Sequence, residues 1–462
     1  LKAMKATKKS RRQMVNKSIA SVMLLNMLCL SAIPITAVLA EGGATTTEAA
    51  KAPVTAKAAK IPEVSSLGLE VASAVLIEPI TGKVLLSVNA DEALPPASMT
   101  KMMTEYIVAD QVKQGVFKWD DIVTVKENAA KTVGSRIFLA VGDQHTVEEL
   151  YIAMAVGSAN DASVALAEYV AGSEQEFVKM MNDTAKKMGM KTAHFINSTG
   201  LDRADMPDKF KPEEDGEDLM SAMDAALLAK FIVQDHPDFA RFTSLQSFKF
   251  RERDKNPIIN YNWMLEANKD ITNFKAYAYP GLDGMKTGHT ASAGNCFTGT
   301  AVRDGMRLIS VVMGTSSEPA RFKETKKVLD YGFNNFEIKQ VIAPKTIVEG
   351  TETVPVKKGV ETSVSVVTDQ DVSFMVPKGA DTTKVTSKVS IIDESKLVAP
   401  LKQGSKVGTV TYTYKAEGIS DQKKTVNLVT AEEVEKGGWF RLLFRAIKDL
   451  FVDLFDGIKN LF

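Results

Sequence analysis

The chain has 462 residues, 45% of them hydrophobic, 25% charged and 7% aromatic, and its Lys+Arg 57 cancels Asp+Glu 57. That balance excludes a basic field for nucleic acid and the acidic excess of a disordered chain. Two cysteines exclude a disulfide framework, and no collagen-like, low-complexity or multi-span membrane class fits, which leaves a soluble enzyme or binding protein of roughly three domains.

Residues 1–17 carry seven basic side chains and no acid, an apolar stretch runs from Ile19 to Ile33, and Pro34 precedes Val38-Leu39-Ala40. This order predicts a secretory signal peptide over 1–40, cleaved after Ala40, rather than an uncleaved anchor, and hence an exported protein. Cys29 falls inside it, so the mature chain keeps Cys296 alone. Residues 41–62, rich in Ala, Thr and Lys, read as a flexible linker.

Apolar runs Val71–Ile77 and Val84–Val88 flank Thr81-Gly82 and predict a hairpin at a sheet edge. Pro95-Pro96-Ala97-Ser98 opens a helix whose apolar face holds Met102, Met103, Tyr106 and Ile107 and which Gly115 stops. Thr146 and Glu149 form a capping box for a helix ending at Gly157, and another helix follows over about Ala162–Gly172. No element is assigned between there and Gly281. Strands then return, with Arg303-Asp304-Gly305 turning between Cys296–Val302 and Met306–Met313, and Pro319 opens a helix to about Phe336. The pattern is an α/β-type (α+β) domain over 63–336 with an antiparallel sheet.

Residues 337–431 alternate in short segments separated by Gly or Pro and predict a small all-β, sandwich-like domain without evident chemistry. Residues 432–462 contain an amphipathic helix. From Trp439 to Phe462 twelve apolar residues, six of them aromatic, lie within about 80° either side of Ile447. Charges on the opposite face exclude a spanning helix; the pattern predicts attachment to a membrane surface, with a core or dimer helix as the alternative.

The chemistry lies in three short motifs. Ser98-Met99-Thr100-Lys101 places a lysine amine one helical turn from a serine hydroxyl. A buried amine near another cation can take the serine proton, and a helix N-terminus favours the negative charge that develops. A second Ser-x-x-Lys, Ser420 to Lys423, lies in the β domain without a helix. Ser158-Ala159-Asn160 falls in the break between two helices, where Ser158 could relay a proton and Asn160 offers both donor and acceptor. Lys286-Thr287-Gly288 lies on a strand; its lysine supplies a fixed charge and its glycine would let a substrate backbone approach. The four histidines lack metal-ligand spacing, and neither a metal nor a cofactor is expected. Cys296 reads as an inert core filler, with exposure to the cleft as the alternative.

The order Ser-x-x-Lys, Ser-x-Asn, Lys-Thr-Gly resembles that of penicillin-binding proteins and serine β-lactamases. The wording around Pro95–Thr104, Gly134–Arg136, Ser158–Asp161, Phe195–Asn197 with Gly200-Leu201, Gly281–Thr290 and Arg321-Phe322 is similar to the low-molecular-mass penicillin-binding proteins that act as serine-type D-alanyl-D-alanine carboxypeptidases. That resemblance covers about 63–430. It implies Ser98 as acylated nucleophile, Lys101 as general base, and Ser158 and Asn160 across the cleft. Lys286, Thr287, Gly288, His289 and Thr290 would hold the substrate, with the N–H groups of Ser98 and His289 as oxyanion hole. Arg321 is a candidate for the substrate's terminal carboxylate, a surface arginine opening a helix being the alternative. The implied partners are peptidoglycan pentapeptide ending in D-Ala-D-Ala, β-lactams as covalent inhibitors, and the outer face of the cytoplasmic membrane through 439–462. From Phe177 to Pro212 there is no glutamate, so rapid penicillin hydrolysis is not expected. A silent β-lactam or cell-wall binder remains open, as does the balance of carboxypeptidase, endopeptidase and transpeptidase activity.

Overall fold

A computed structural model describes residues 61–383, 385–416 and 419–459. The expected signal segment 1–40 and the linker up to residue 60 lie outside the described residues.

Strands β1 (Ser73–Glu78) and β2 (Lys83–Val88) form the expected hairpin. A 3-10 turn over Ala97–Thr100 runs into helix α1 (Lys101–Lys113). Helix α2 (Val147–Gly157) starts at the reciprocal Thr146–Glu149 capping box and ends where Ser158 turns left-handed, at φ 54. Helix α3 (Asn160–Ala171) follows at once. Helices α4 (Glu174–Met188) and α5 (Ala222–Asp235) fill the unassigned stretch, capped by the hydroxyls of Ser173 and Ser221. Both obey ordinary N-cap chemistry, in which a serine oxygen accepts a free N–H of the first turn.

Strands β3 (Leu282–Thr290), β4 (Gly294–Arg303) and β5 (Met306–Thr315) complete a five-stranded sheet of order β2-β1-β5-β4-β3, antiparallel throughout. Helix α6 (Glu318–Asn335) begins at the Ser317 cap with Pro319 in its first turn. Every residue of β1 is buried, because helices cover both faces of the sheet. Ala74 and Leu76 join Leu308, Phe322 and Leu329 on the α6 side, whereas Val75 and Ile77 join Ile309, Ala225 and Ala229 on the α5 side. The period of two sorts the side chains between the two cores. Helix α1 is buried almost all round, at Lys101, Thr104 and Glu105 as well as at its methionines, so no single apolar stripe describes it.

The second part begins directly after α6 with a strand not assigned from the sequence, β6 (Phe336–Ile342). Strands β7 (Thr353–Pro355), β8 (Ser363–Thr368), β9 (Val372–Pro377), β10 (Val385–Ile391), β11 (Lys406–Ala416) and β12 (Ile419–Thr430) follow. β6 pairs with β9, and the rest form a sheet of order β7-β8-β12-β11-β10. One apolar core joins the two layers, including Phe374 of β9 stacked on Tyr414 of β11. This is the sandwich-like arrangement expected.

Helix α7 (Trp439–Lys459) closes the described chain. Arg441 and Arg445 donate to the carbonyls of Gly359 and Val360. Trp439, Phe440, Phe444, Leu450 and Phe451 are each at least 60% exposed, so the apolar face over 439–451 points away from the β domain. That argues against a core-docked helix. No helix among the described residues is long and apolar enough to cross a membrane.

Candidate active site

The 3-10 turn presents Ser98, half-buried, at the start of α1, and helical spacing folds Lys101 back under it. Lys101 is fully buried; its Nζ lies 3.1 Å from Ser98 Oγ and donates to the Thr199 carbonyl at 2.7 Å. Burial above all, then the charge of Lys286, holds the Lys101 amine well below the ordinary lysine range.

Ser158 takes its left-handed conformation because α2 must end and α3 begin two residues later. The break turns its Oγ toward β3, where it accepts from Lys286 Nζ at 2.9 Å. Lys286 is 2% exposed and also donates to the Thr287 carbonyl at 3.3 Å. Burial lowers its amine, with the charge of Arg321 acting in the same sense and that of Glu105 against it. Asn160 is buried; its N–H donates to Ser135 O and its Nδ2 to Val133 O, each at 2.7 Å, leaving Oδ1 unpartnered. The structure thus forms two hydrogen-bonded pairs, Ser98 with Lys101 and Ser158 with Lys286, and the charge of Lys286 is felt at Lys101.

Thr287 is buried on the same strand, and His289 is exposed with Nδ1 3.0 Å from the Gly294 carbonyl. Gly288 has a different reason from the one expected. A Cβ there would stand 2.6 Å from the Pro96 carbonyl and 3.3 Å from Ala97 Cβ, so the glycine admits the turn that carries Ser98 rather than a substrate backbone. The Thr290 hydroxyl is engaged in the β3–β4 turn, 3.0 Å from Ser292 Oγ and accepting from Ala293 N–H, rather than turned to Ser98. Arg321 is no surface arginine. It is 2% exposed, donates to the Gly288 carbonyl at 3.2 Å, pairs with Glu318 at 3.5 Å, and keeps Nε without a partner.

Cys296 is fully buried opposite Gly288, its thiol pushed up to about 11 by burial; it is core and not cleft.

Sequence reasoning missed the scaffold behind the lysine. Asn197 Oδ1 accepts from Thr199 N–H, Thr199 Oγ1 and Gly200 N–H, which shapes the turn that offers the Thr199 carbonyl. Glu174 accepts from both N–H and hydroxyl of Ser198. Asp218 accepts from Ile196 N–H at 2.6 Å and Thr100 Oγ1 at 3.1 Å, tying the turn to the Ser98 segment. Burial pushes the Asp218 carboxyl up to about 7. The run Asn197-Ser198-Thr199-Gly200 is a turn signal that could have flagged the site's floor.

A family model described as D-alanyl-D-alanine carboxypeptidase matches residues 56–317, and one described as Penicillin-binding protein 5, C-terminal domain matches 336–436. The chain is 35% identical over 385 residues to the D-alanyl-D-alanine carboxypeptidase DacF of Bacillus subtilis, covering 83% of this chain and 91% of that one. It is 32% identical over 400 residues to DacA of Escherichia coli, with 85% and 90% covered. Among solved structures, penicillin binding protein 5 of Haemophilus influenzae superposes with TM-score 0.61 at 32% identity, over 80% of this chain and 98% of that one. A peptidoglycan synthesis regulatory factor (PBP3) of Streptococcus pneumoniae superposes with TM-score 0.69 at 29% identity, over 79% and 100%.

Proposed function

The chain belongs to the D-alanyl-D-alanine carboxypeptidase family, and from that premise we propose that it removes the terminal D-alanine of peptidoglycan pentapeptide through an acyl-enzyme on Ser98. The observation that carries the reading is the buried Lys101 amine 3.1 Å from Ser98 Oγ, with Lys286 close enough to depress its proton affinity.

A neutral Lys101 keeps one N–H on the Thr199 carbonyl and aims its lone pair at the Ser98 hydroxyl. As it takes that proton, Oγ attacks the carbonyl between the two D-alanines, and the oxyanion forms against the N–H groups of Ser98 and His289. The C–N bond then breaks. The leaving amine collects a proton from Lys101 through Ser158, whose hydroxyl is polarised by Lys286. Water enters in place of D-alanine and gives a proton to the Lys101–Ser158 side as its oxygen attacks the acyl carbon; that proton passes to Ser98 Oγ as the acyl C–O bond breaks, releasing the shortened peptide and the free serine.

β3 is the outer strand of its sheet, so an extended peptide can pair antiparallel along it, flanked by Thr287 and His289. Arg321, which donates to the Gly288 carbonyl from behind the strand, and Lys286 are the cations available beside β3 to attract a terminal carboxylate. β-Lactams enter the same acylation step, and slow release of their acyl group is consistent with the absence of glutamate from 177–212. The exposed apolar face of α7 supports attachment at the outer surface of the cytoplasmic membrane, after removal of 1–40.

Incubation with pentapeptide, with and without an amine acceptor, tests the reading. Release of one D-alanine per peptide, abolished in Ser98→Ala, is expected; release that survives S98A would sink it. The acceptor arm divides hydrolysis from transfer.

A further inference from the structure

Lys101 and Lys286 are both buried, at 0% and 2% exposure, and Gly288, two residues beyond Lys286 on β3, packs against the Pro96–Met99 turn that leads into Lys101. Buried cations are costly unless a counter-charge lies beside them. The candidates are few among the described residues. Asp161 acts on Lys101 from α3, but its carboxylate already accepts from the N–H groups of Ile137, Leu139 and Ala162. Asp218 is held by Ile196, Asn197 and Thr100.

Glu105 differs from both. It sits one helical turn beyond Lys101 on α1, on the same face, and is 3% exposed. Its Oε1 has no hydrogen-bond partner within the protein. It is the acid that acts on both lysines, on Lys101 along its own helix and on Lys286 from β3. Among the described residues Tyr151 of α2 also feels the Glu105 charge and is kept neutral by burial, while Arg321 of α6 acts on Lys286.

Resting on the reading of Lys101 as base and Lys286 as fixed cation, we infer that Glu105 is a positioning residue of the acyl-transfer site: its carboxylate is the counter-ion that keeps Lys286 protonated while Lys101 is neutral. Acylation needs those opposite protonation states in two like groups. Burial pushes both lysines toward neutrality, helped at Lys101 by the charge of Lys286 and at Lys286 by that of Arg321. The Glu105 charge opposes this on each. Burial raises the Glu105 carboxyl to about 7 against the pull of the two lysines, so its charge is present on the alkaline side, where the reaction loses Lys286 protonation. Removing the charge leaves a neutral Lys101 competent as a base but deprotonates Lys286 at lower pH. The alkaline limit of the reaction therefore moves down.

The test is the rate of Ser98 acylation by a fluorescent penicillin over a pH series, in the full chain, for wild type, Glu105→Gln and Glu105→Asp. E105Q should lose rate on the alkaline side about one pH unit earlier than wild type, and E105D, which keeps the charge, should restore the wild-type limb. An E105Q profile superimposable on wild type overturns the inference, as does a uniform slowing of both variants without a shift, the signature of a packing role. Should E105Q fail to fold, Glu105→Leu removes the charge without leaving an unpartnered amide, and the same shift or its absence decides. No labelling of Ser98 in wild type would overturn the underlying reading of the site; normal labelling with an unshifted E105Q limb overturns this inference alone.

Discussion

Lys286 Nζ donates to Ser158 Oγ at 2.9 Å, joining the outer strand of the sheet to the break between α2 and α3. A hydroxyl that accepts from a buried ammonium directs its own proton elsewhere, and the site offers Lys101 and the leaving amine as takers. Ser158→Ala should slow acylation about 10²–10⁴-fold, the usual range for a lost proton-transfer group. Lys286 retains its contact with the Thr287 carbonyl, so the melting temperature should change little. Near-wild-type labelling by penicillin in S158A would show that the hydroxyl relays nothing.

Gly200 carries the turn that positions the Thr199 carbonyl. Its φ is +79, and a Cβ would stand 1.9 Å from the Ala97 carbonyl, within the segment bearing Ser98. Gly200→Ala should cost about 1–3 kcal/mol in backbone strain and displace the serine from its lysine. Thermal unfolding and acylation rate measured together check this, and the rate should fall by more than the stability loss explains. A folded G200A with unchanged acylation would mean that the two segments yield independently.

Asp218 makes stability depend on pH. Burial raises its carboxyl from 3.8 to about 7, so the folded state favours the protonated form. Its stabilising contribution is therefore full below the unfolded value and declines as pH rises through about 7. Asp218→Asn does not titrate there. It starts with a fixed penalty for facing an amide toward N–H donors, and the gap between wild type and D218N should narrow from about pH 4 to pH 7. Denaturant unfolding at a series of pH values measures the gap; a constant one would contradict the shift.

For the proposed attachment through α7, apolar area supplies most of the affinity, since Arg441, Arg445, Lys448 and Lys459 are offset by Asp449, Asp453 and Asp456. Detergent should release the full chain from membranes and high salt should not. Deletion of 437–462 should yield a released enzyme that still acylates. Salt release would point to a charged partner, and loss of penicillin labelling on deletion would point to packing against the catalytic part.

What the sequence made legible is local. Ser98 and Lys101 are three apart at a helix start, Thr146 and Glu149 spell a cap, and Thr81-Gly82 marks a hairpin; each needs only a few neighbours. Asn197 and Gly200 stand out in the sequence as a turn, but that this turn is the floor of the site does not, because the Thr199 acceptor is a backbone carbonyl that any residue would carry. Glu105, Glu174 and Asp218 look in sequence like solvated acids, and only the packing of distant segments makes them buried partners. Gly288 was assigned to the right strand for the wrong neighbour, since the Pro96 carbonyl that fills its space lies nearly two hundred residues earlier. Strand β6 went unseen because Glu337, Lys339 and Gln340 dilute its alternation, and its partner β9 supplies the pairing.

The junction before α7 is a strut rather than a string. Gly437 N–H donates to the Lys358 carbonyl at 2.9 Å, and Arg441 and Arg445 donate to the carbonyls of Gly359 and Val360, so the start of the helix is tied to the β domain. An enzyme resting on lipid through such a strut does not sweep the volume that a loose leash would allow. On the proposed attachment, such a strut would set one working height above the membrane and confine trimming to the peptides within that stratum of the wall.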